Sequence, residues 1–472
     1  MNEVSFFLFM ANHLVFHPIE IQHRPTLLPY LRKHSRTCDR TFTNEFCWQH
    51  HYGTRWTETN GWLVLRIHIN GERRIAYIPL SQKENPQYDE IIPLLEEDAD
   101  QNNQSLTLMS LNEEECDLIR KQCPDAFVFD RNRDFADYLY RAEDLRTLKG
   151  RKFAQKRNHV NKFKLLYSYH YEPITNKNIP DCLQLEEDWI AQHPHDESAL
   201  AERSVIQLAL NHFEELELIG GALYVEQQII AFTYGSAINE EMFCTHVEKA
   251  NIRFEGAYQM INQLFAQHLP DQYTLINREE DLGLEGLRKA KSSYEPVNMA
   301  YKASAVKITD EMRDIIRLWH IAFGETDLSV QTFLSRYYFE ECALKEKVDG
   351  HVVSMAFMIP CHTPYGLGAY LYGIATLPDY QHQGLSSKLI NHLLEKCKAN
   401  GMAFSFLIPA EDSLVAYYNR FGYQTTETKP IFLCDMDLGT GDSEKDKILV
   451  LPLNETFLVK DLPETMSCTP ML

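Results

Sequence analysis

Short apolar runs alternate along this chain with amphipathic ones, and the two periods place the elements. Trp62 to Ile69 and Arg74 to Leu80 are rich in aromatic and β-branched residues and predict two strands, joined at Asn70-Gly71, a hairpin dipeptide. Thr26 to Lys33 reads as a short helix interrupted by Pro29, and the acidic stretch Asp89 to Asn102 as a solvated helix. Leu106 to Met109 and Phe127 to Phe129 complete a small α/β unit. Further on, Phe243 to Val247 is strand-like, Tyr258 to His268 helical, Tyr273 to Asn277 a strand, and Gly286 to Ala290 a helix leading to Tyr294. Past a stretch without periodicity at Lys302 to Lys307, Ile308 to Ala322 and Val330 to Phe339 predict amphipathic helices. Ala343 to Val348 and His351 to Ile359 then predict a hairpin around Asp349-Gly350.

The run from Ala369 to Tyr423 organises the rest. Ala369 to Thr376 is uncharged and mostly apolar, as a buried strand is, and Pro378 ends it. A loop of small and polar residues follows. Lys388 to Lys398 then repeats Leu389, Ile390, Leu393, Leu394 and Cys397 at helical spacing. Met402 to Leu407 reads as a strand and Asp412 to Phe421 as a helix closed by Gly422. Ile448 to Leu453 and Phe457 to Lys460 suggest further strands or an ordered tail, with Gly439 to Lys447 as an exposed link.

The order strand, loop, helix, strand, helix occurs twice. Arg253 to Tyr294 spans 41 positions and Gln381 to Tyr423 spans 42, each opening on a polar residue three places before a Gly. Free amides at a helix N-terminus, aided by the helix dipole, bind phosphate oxygens, and Gly384 lets backbone approach them. The alternative is an ordinary strand-to-helix turn. In the middle copy Tyr258 stands where a small residue would admit a pyrophosphate, so coenzyme binding is not expected there. Asn277-Arg278-Glu279-Glu280-Asp281, with Arg288, Lys289 and Lys291, could hold an amino acid or a phosphorylated donor, or form a surface ion-pair network.

The Gln381-x-x-Gly384-x-Ser386 pattern resembles the pyrophosphate loop of the GNAT acyltransferase superfamily, departing from it in a Ser where Gly or Ala is usual. Ala416-Tyr-Tyr-Asn-Arg-Phe-Gly-Tyr423 resembles its closing helix. The resemblance implies that backbone groups of Ile374, Ala375 and Thr376 align the pantetheine of acetyl-CoA. It also implies that the amides of His382, Gln383, Gly384, Leu385, Ser386 and Ser387 take the pyrophosphate, flanked by Gln381, with Asn419 among the coenzyme-binding residues. Tyr418, four residues before Gly422, would protonate the departing thiolate; Tyr417 and Tyr418 could instead be core aromatics. An ordinary tyrosine pKa of about 10 suits that acid. Glu411 is a weak candidate for the base, with relay through water as plausible.

Composition narrows the setting. At 472 residues the chain allows three domains, and 44% hydrophobic with 24% charged residues makes it globular. A net charge of -21 argues against nonspecific nucleic-acid binding as its main task. Eleven Cys without a C-x-x-C suggest a reducing cytoplasm, and no apolar run approaches the roughly 18 residues of a membrane span. No metal is expected, because His50 and His51 are adjacent and so point apart. Against the acidic background, Arg141 to Lys164 carries nine Lys and Arg and two acids. Lys149, Arg151, Lys152, Lys156 and Arg157 there could gather a polyanion such as tRNA, or form a solvated face paired with acids elsewhere.

That basic segment, with CDRTFTNEFCW before it and INREEDLGLEGLRKAKSSYEP after it, resembles the soluble family related to the C-terminal domain of phosphatidylglycerol lysyltransferases, over about His17 to Ala303. The resemblance implies two tandem GNAT-like folds. The expected architecture is therefore α/β with mixed sheets (α+β): three GNAT-like acyl-CoA N-acyltransferase folds in tandem. The expected divisions are an extension at 1–16, GNAT-like domains at 17–165 and 166–303, a GNAT acetyltransferase domain at 304–437, and a tail at 438–472 with further strands. The expected activity is N-acetyl transfer from acetyl-CoA to a small-molecule amine. The rivals are aminoacyl-tRNA-dependent aminoacyl transfer by the first 303 residues and an acyl-CoA-binding regulatory protein without turnover.

Overall fold

The computed structural model describes residues 13–33, 35–69, 74–191, 197–325, 327–338, 342–434, 436, 438–439 and 446–471. The Asn70-Gly71 dipeptide and most of the Gly439 to Lys447 link lie outside them, although Trp62–Ile69 and Arg74–Ser81 pair antiparallel as a hairpin requires. Two compact units divide the chain: Met1–Pro124 with Arg131–Ala305, and Asp125–Asp130 with Val306–Leu472. The stretch at Lys302 to Lys307 is not irregular. Ala303–Lys307 is a strand, and the division falls within it.

The first unit holds two sheets. In one, His17–Pro18, Arg55–Thr59, Trp62–Ile69, Arg74–Ser81 and Thr107–Leu111 lie side by side in that order. The helix Tyr88–Gln101 crosses between its last two strands, and Glu113–Gln122 begins on a capping box in which Asn112 and Glu115 satisfy each other's backbone amides. The second sheet runs Asn298–Ala300, Asp137–Arg141, Leu275–Asn277, Met242–Ala250, Gln228–Ala237, Ile219–Val225 and Tyr169–Pro173. Strand Asp137–Arg141 precedes the basic segment in sequence, so this sheet draws on both sides of that segment. Helices Ala154–Leu166 and Ala257–His268 bury Phe153, Val160, Phe163, Met260, Ile261 and Phe265 against it.

The second unit is one sheet, in the order Gln424–Thr425, Leu449–Pro452, Phe404–Leu407, Gly366–Thr376, His351–Thr363, Thr465–Pro470 and Lys429–Phe432, with Ala343–Val348 on His351–Thr363. Helix Asp310–Phe323 starts on Thr309, whose side chain accepts the Met312 amide, and stops at left-handed Gly324. Its Trp319 packs on Phe333, Phe357 and Tyr372. Helix Leu385–Ala399 buries Leu389, Ile390, Leu393, Leu394 and Cys397, the residues its periodicity selects; burying each large aliphatic is worth about 1.5–3 kcal/mol. The mixed α/β class and its GNAT-like folds stand as the sequence led us to expect.

One predicted strand is corrected. Phe457 to Lys460 is not extended, because Asn454 accepts the Thr456 and Phe457 amides and turns the chain there. Phe457 instead stacks on Phe404 at 4.2 Å, Val459–Asp461 forms a short 3-10 turn, and the strand lies at Thr465–Pro470.

Gly373 sits at a bulge in Gly366–Thr376, where Met355 faces Ala375 but Phe357 faces Tyr372. Its φ is +57°, and a Cβ there would stand 2.7 Å from Trp319 Cη2 and 3.2 Å from Phe357 Cδ2. Gly384 has φ +82° with nothing within 4 Å of such a Cβ. Gly373→Ala should therefore destabilise the second unit by about 2–4 kcal/mol, strain plus overpacking, and Gly384→Ala by about 1–2 kcal/mol, strain alone. Urea unfolding of the two variants checks this ranking, and equal losses would refute it.

Candidate functional site

Strand Phe404–Leu407 runs parallel to Gly366–Thr376 but pairs only with Gly368, Ala369 and Tyr370. Beyond Tyr370 the two strands part. Ile374, Ala375 and Thr376 thus line a gap at the carboxyl end of the sheet, where open α/β sheets place ligands. The Gly373 bulge re-aims this segment beside the gap.

The chain then makes a 3-10 turn at Pro378–Tyr380 and an exposed loop at Gln381, His382, Gln383 and Gly384. Two local bonds shape it: Gln381 Nε2 donates to Thr376 O at 3.2 Å and Gln383 Nε2 to Asp379 O at 3.3 Å. His382 and Gly384 both take left-handed φ. Gly384 caps Leu385–Ala399 without a side-chain bond, so the amides of Leu385, Ser386 and Ser387 have no acceptor within the helix. The loop faces open space. Ser386, the departure from the usual small residue, turns its hydroxyl to Thr376 Oγ1 at 2.7 Å, and Thr376 Oγ1 meets buried Ser354 Oγ at 2.8 Å. Three hydroxyls in line therefore tie the loop to the strand end.

Tyr418 is buried among Leu389, Leu393, Cys397 and Tyr423 on helix Val415–Asn419. Burial, then neighbouring Tyr417, push its phenol up to about 12, and its hydroxyl makes no hydrogen bond among the described residues. It stays protonated at neutral pH. Tyr417 instead meets Ser387 Oγ at 3.1 Å. Asn419 is exposed; turned to satisfy its amide, it donates to Val415 O at 3.3 Å and Tyr423 O at 3.0 Å. Glu411 is exposed and accepts from Ser413 Oγ at 3.0 Å.

The first unit repeats this frame with other contents. Met242–Ala250 pairs in parallel with all three residues of Leu275–Asn277 and runs on past that strand's end, and left-handed Gly256 caps Ala257–His268. Here the loop is covered. A Cβ on Gly256 would stand 2.7 Å from His159 O and 3.2 Å from Phe163 Cβ, because Ala154–Leu166 lies across it, and the Tyr258 hydroxyl meets the Ala250 backbone.

Asn277 and Asp281 are buried, and Arg278, Glu279 and Glu280 between them are half-buried in a network of ion pairs and hydrogen bonds. Asp281 is fully buried and accepts from Tyr138 at 2.6 Å, Arg133 at 3.1 Å and Arg288 at 2.8 and 3.0 Å. Desolvation alone would raise its carboxyl, but the bonds from Arg288, Tyr138 and the Gly283 amide hold it well below the carboxylate range. Lys291 donates to Arg278 O at 2.6 Å. Lys302, which carries no motif, places its ammonium 2.7 Å from Asp39, 2.9 Å from Asp137 and 3.1 Å from Glu280. Desolvation would lower that ammonium, yet Asp137, Asp39, Cys38 and Glu280 outweigh it and raise it well above its ordinary value. Cys38, Asp39, Asp137, His246 and Lys302 were not singled out in the sequence, because they come together only through the sheet.

The basic segment buries Phe153, Val160 and Phe163, and four of its nine cations, Arg146, Lys149, Lys152 and Lys162, meet an acid among the described residues. Lys152 meets Asp144 at 3.2 Å and Lys162 meets Glu255 at 2.7 Å. Arg157 donates to Leu148 O and Gly150 O, and Lys156 lies 4.2 Å above the Tyr294 ring. Lys149 stands 4.0 Å from Glu143 and is largely exposed, as is Arg151. Among the described residues no helix is long and apolar enough to cross a membrane.

Comparison with known proteins agrees with this division. The family described as phosphatidylglycerol lysyltransferase, C-terminal, matches residues 32–303, and the acetyltransferase (GNAT) domain matches residues 305–426. A solved conserved protein of unknown function from Bacteroides thetaiotaomicron is 39% identical, with TM-score 0.59, over 62% of this chain and all of its own. The solved L-PGS of Bacillus licheniformis is 16% identical, with TM-score 0.40, over 56% of this chain and 90% of its own. An uncharacterized protein of Mycoplasmoides gallisepticum is 24% identical over 48% of this chain and 72% of its own length. The two matched families are transferases of aminoacyl and acyl groups, which gives this protein its class. With more than half of its residues in the first match, the chain belongs to the phosphatidylglycerol lysyltransferase C-terminal family and carries a GNAT acetyltransferase domain after it.

Proposed function

We propose that the second unit transfers an acetyl group from acetyl-CoA to the amino group of a small molecule. One contrast carries the reading: the Gly384 loop is open where the Gly256 loop is covered. A pyrophosphate fits the first, against the free amides of His382 to Ser387 with Gln381 at the flank, and is shut out of the second. The pantetheine extends along Ile374, Ala375 and Thr376 in the strand gap, whose backbone amides polarise the thioester carbonyl.

The acceptor nitrogen, held beside the thioester, attacks the carbonyl carbon; the C–N bond forms as the C–S bond breaks. The leaving thiolate takes the proton of Tyr418, whose burial keeps it protonated. The proton lost by the acceptor nitrogen passes to water, which restores the one Tyr418 gave up. Eleven free cysteines suit a reducing compartment, and we place the protein in the cytoplasm. A second reading rests on the family matched over residues 32–303: the first unit moves an aminoacyl group, with aminoacyl-tRNA as donor held by exposed Lys149 and Arg151. Salt-sensitive tRNA binding that falls in the double Ala variant would favour it.

Acetyl transfer to an amine panel tests the main reading. Tyr418→Phe should lower kcat about 100-fold or more while coenzyme affinity holds, and an unchanged kcat would remove Tyr418 from the mechanism. Gly384→Trp should abolish acetyl-CoA binding by filling the loop, and retained affinity would move the coenzyme elsewhere. With the phenol raised to about 12, wild-type kcat should rise with pH as the acceptor amine loses its proton, with no alkaline fall up to about pH 10. A fall centred near pH 8 would name a different acid.

A further inference from the structure

The gap past the end of Leu275–Asn277 in the first unit is filled with side chains of another chemistry. Cys244 and His246 lie two places apart on Met242–Ala250, with His246 the extra residue of a bulge where Tyr234 faces Val247 but Gly235 faces Thr245, and Glu279 follows the end of Leu275–Asn277. Their ligand atoms all lie within 4.8 Å of one another. His246 Nδ1 is 2.9 Å from Glu279 Oε1, and Cys244 Sγ is 3.7 Å from the same oxygen. A tetrahedral ion with bonds of about 2.0–2.3 Å holds its ligands roughly 3.3–3.8 Å apart, so the three need shift little to share one.

The supporting shell is also present. His246 Nε2 lies 2.8 Å from Ser236 Oγ, which accepts the Thr43 hydroxyl at 3.1 Å; a partner of this kind fixes the ring and tautomer of a ligating histidine. Asn44 Nδ2 steadies Glu279 at 2.9 Å. Beside them is a cavity of about 50 Å³, lined by Asn44, Glu202, Tyr234, His246 and Glu279, which has room for a water. The neighbouring group Cys38, Asp137 and Glu280 already holds the Lys302 ammonium. Glu279, by contrast, has no lysine or arginine ion pair among the described residues and meets the His246 ring at 2.9 Å.

We propose that Cys244, His246 and Glu279 bind one divalent cation of the zinc class, with a cavity water in the fourth place. The Cys244 proton leaves to solvent as the S–metal bond forms, and His246 would bind through Nδ1 with Nε2 turned to Ser236. One thiolate and one carboxylate then neutralise the ion, as its burial requires. Three protein ligands with an open fourth place are the pattern of catalytic rather than closed structural zinc.

Titration of the full chain, stripped with chelator, with Co2+ and Zn2+ tests this. The wild type should take up one equivalent and show thiolate-to-cobalt charge-transfer absorption, and Cys244→Ser should lose that band. Ser236→Ala should keep the band with roughly 10–100-fold weaker affinity. The proposal is overturned by a wild type without a saturable site, or by a band that survives in Cys244→Ser; His246 and Glu279 would then be a hydrogen-bonded pair alone. If Cys244→Ser does not fold, Ser236→Ala decides, and unchanged affinity there overturns the site.

Discussion

Two parallel strands whose pairing stops after three residues are the constraint on which both units depend. That stop leaves a strand edge without a partner in the middle of a sheet, and buried backbone amides must be satisfied by something. In the second unit that edge lies beside a helix whose first amides have no acceptor within the helix. In the first unit the same gap is packed with His246, Glu279, Asn277 and their neighbours, and a helix covers the loop. One frame thus has two outcomes, set by what stands against it.

The consequence for chemistry is a division of labour along one chain. The second unit keeps its polar groups at the backbone and the buried Tyr418 phenol protonated, which would suit an extended coenzyme whose reacting carbonyl needs donors and whose thiolate needs a proton. The first unit concentrates charge instead. Lys302 amid Asp39, Asp137 and Glu280, and Asp281 amid Arg133, Arg288 and Tyr138, are networks in which every partner answers another. Removing one member of such a buried set strands the rest and typically costs about 3–5 kcal/mol, so the networks hold the loop after Leu275–Asn277 in one shape.

What could be read from sequence was local. Gln381 to Ser387 declare themselves because a phosphate loop needs small residues at fixed offsets, and Leu389 to Cys397 because a helix repeats every 3.6 residues. The double unit was legible from its matched spacing, and Tyr258 warned of the closed loop. The covering of Gly256 by His159 and Phe163 was not legible, since those residues lie almost a hundred positions away. Nor was the meeting of Cys38, Asp137, Glu280 and Lys302, which no periodicity links. Asn277 to Asp281 read either as a ligand-holding group or as surface ion pairs, yet Asn277 and Asp281 are buried, because a sheet that brings Asp137 and Tyr138 alongside supplies partners the sequence does not announce. Phe457 misled for a related reason: an apolar residue after Asn454 served a turn and a stacking contact rather than a strand.

The central claim is that the open loop at Gly384, and not its covered counterpart at Gly256, receives the acyl donor. Hydrogen exchange of the full chain with and without acetyl-CoA tests it most directly, because both loops are read in one experiment. The account predicts slowed exchange at the amides of 382–387 and along 374–376, with 254–259 unchanged. Protection confined to 254–259, or no protection in either loop at saturating coenzyme, would contradict it.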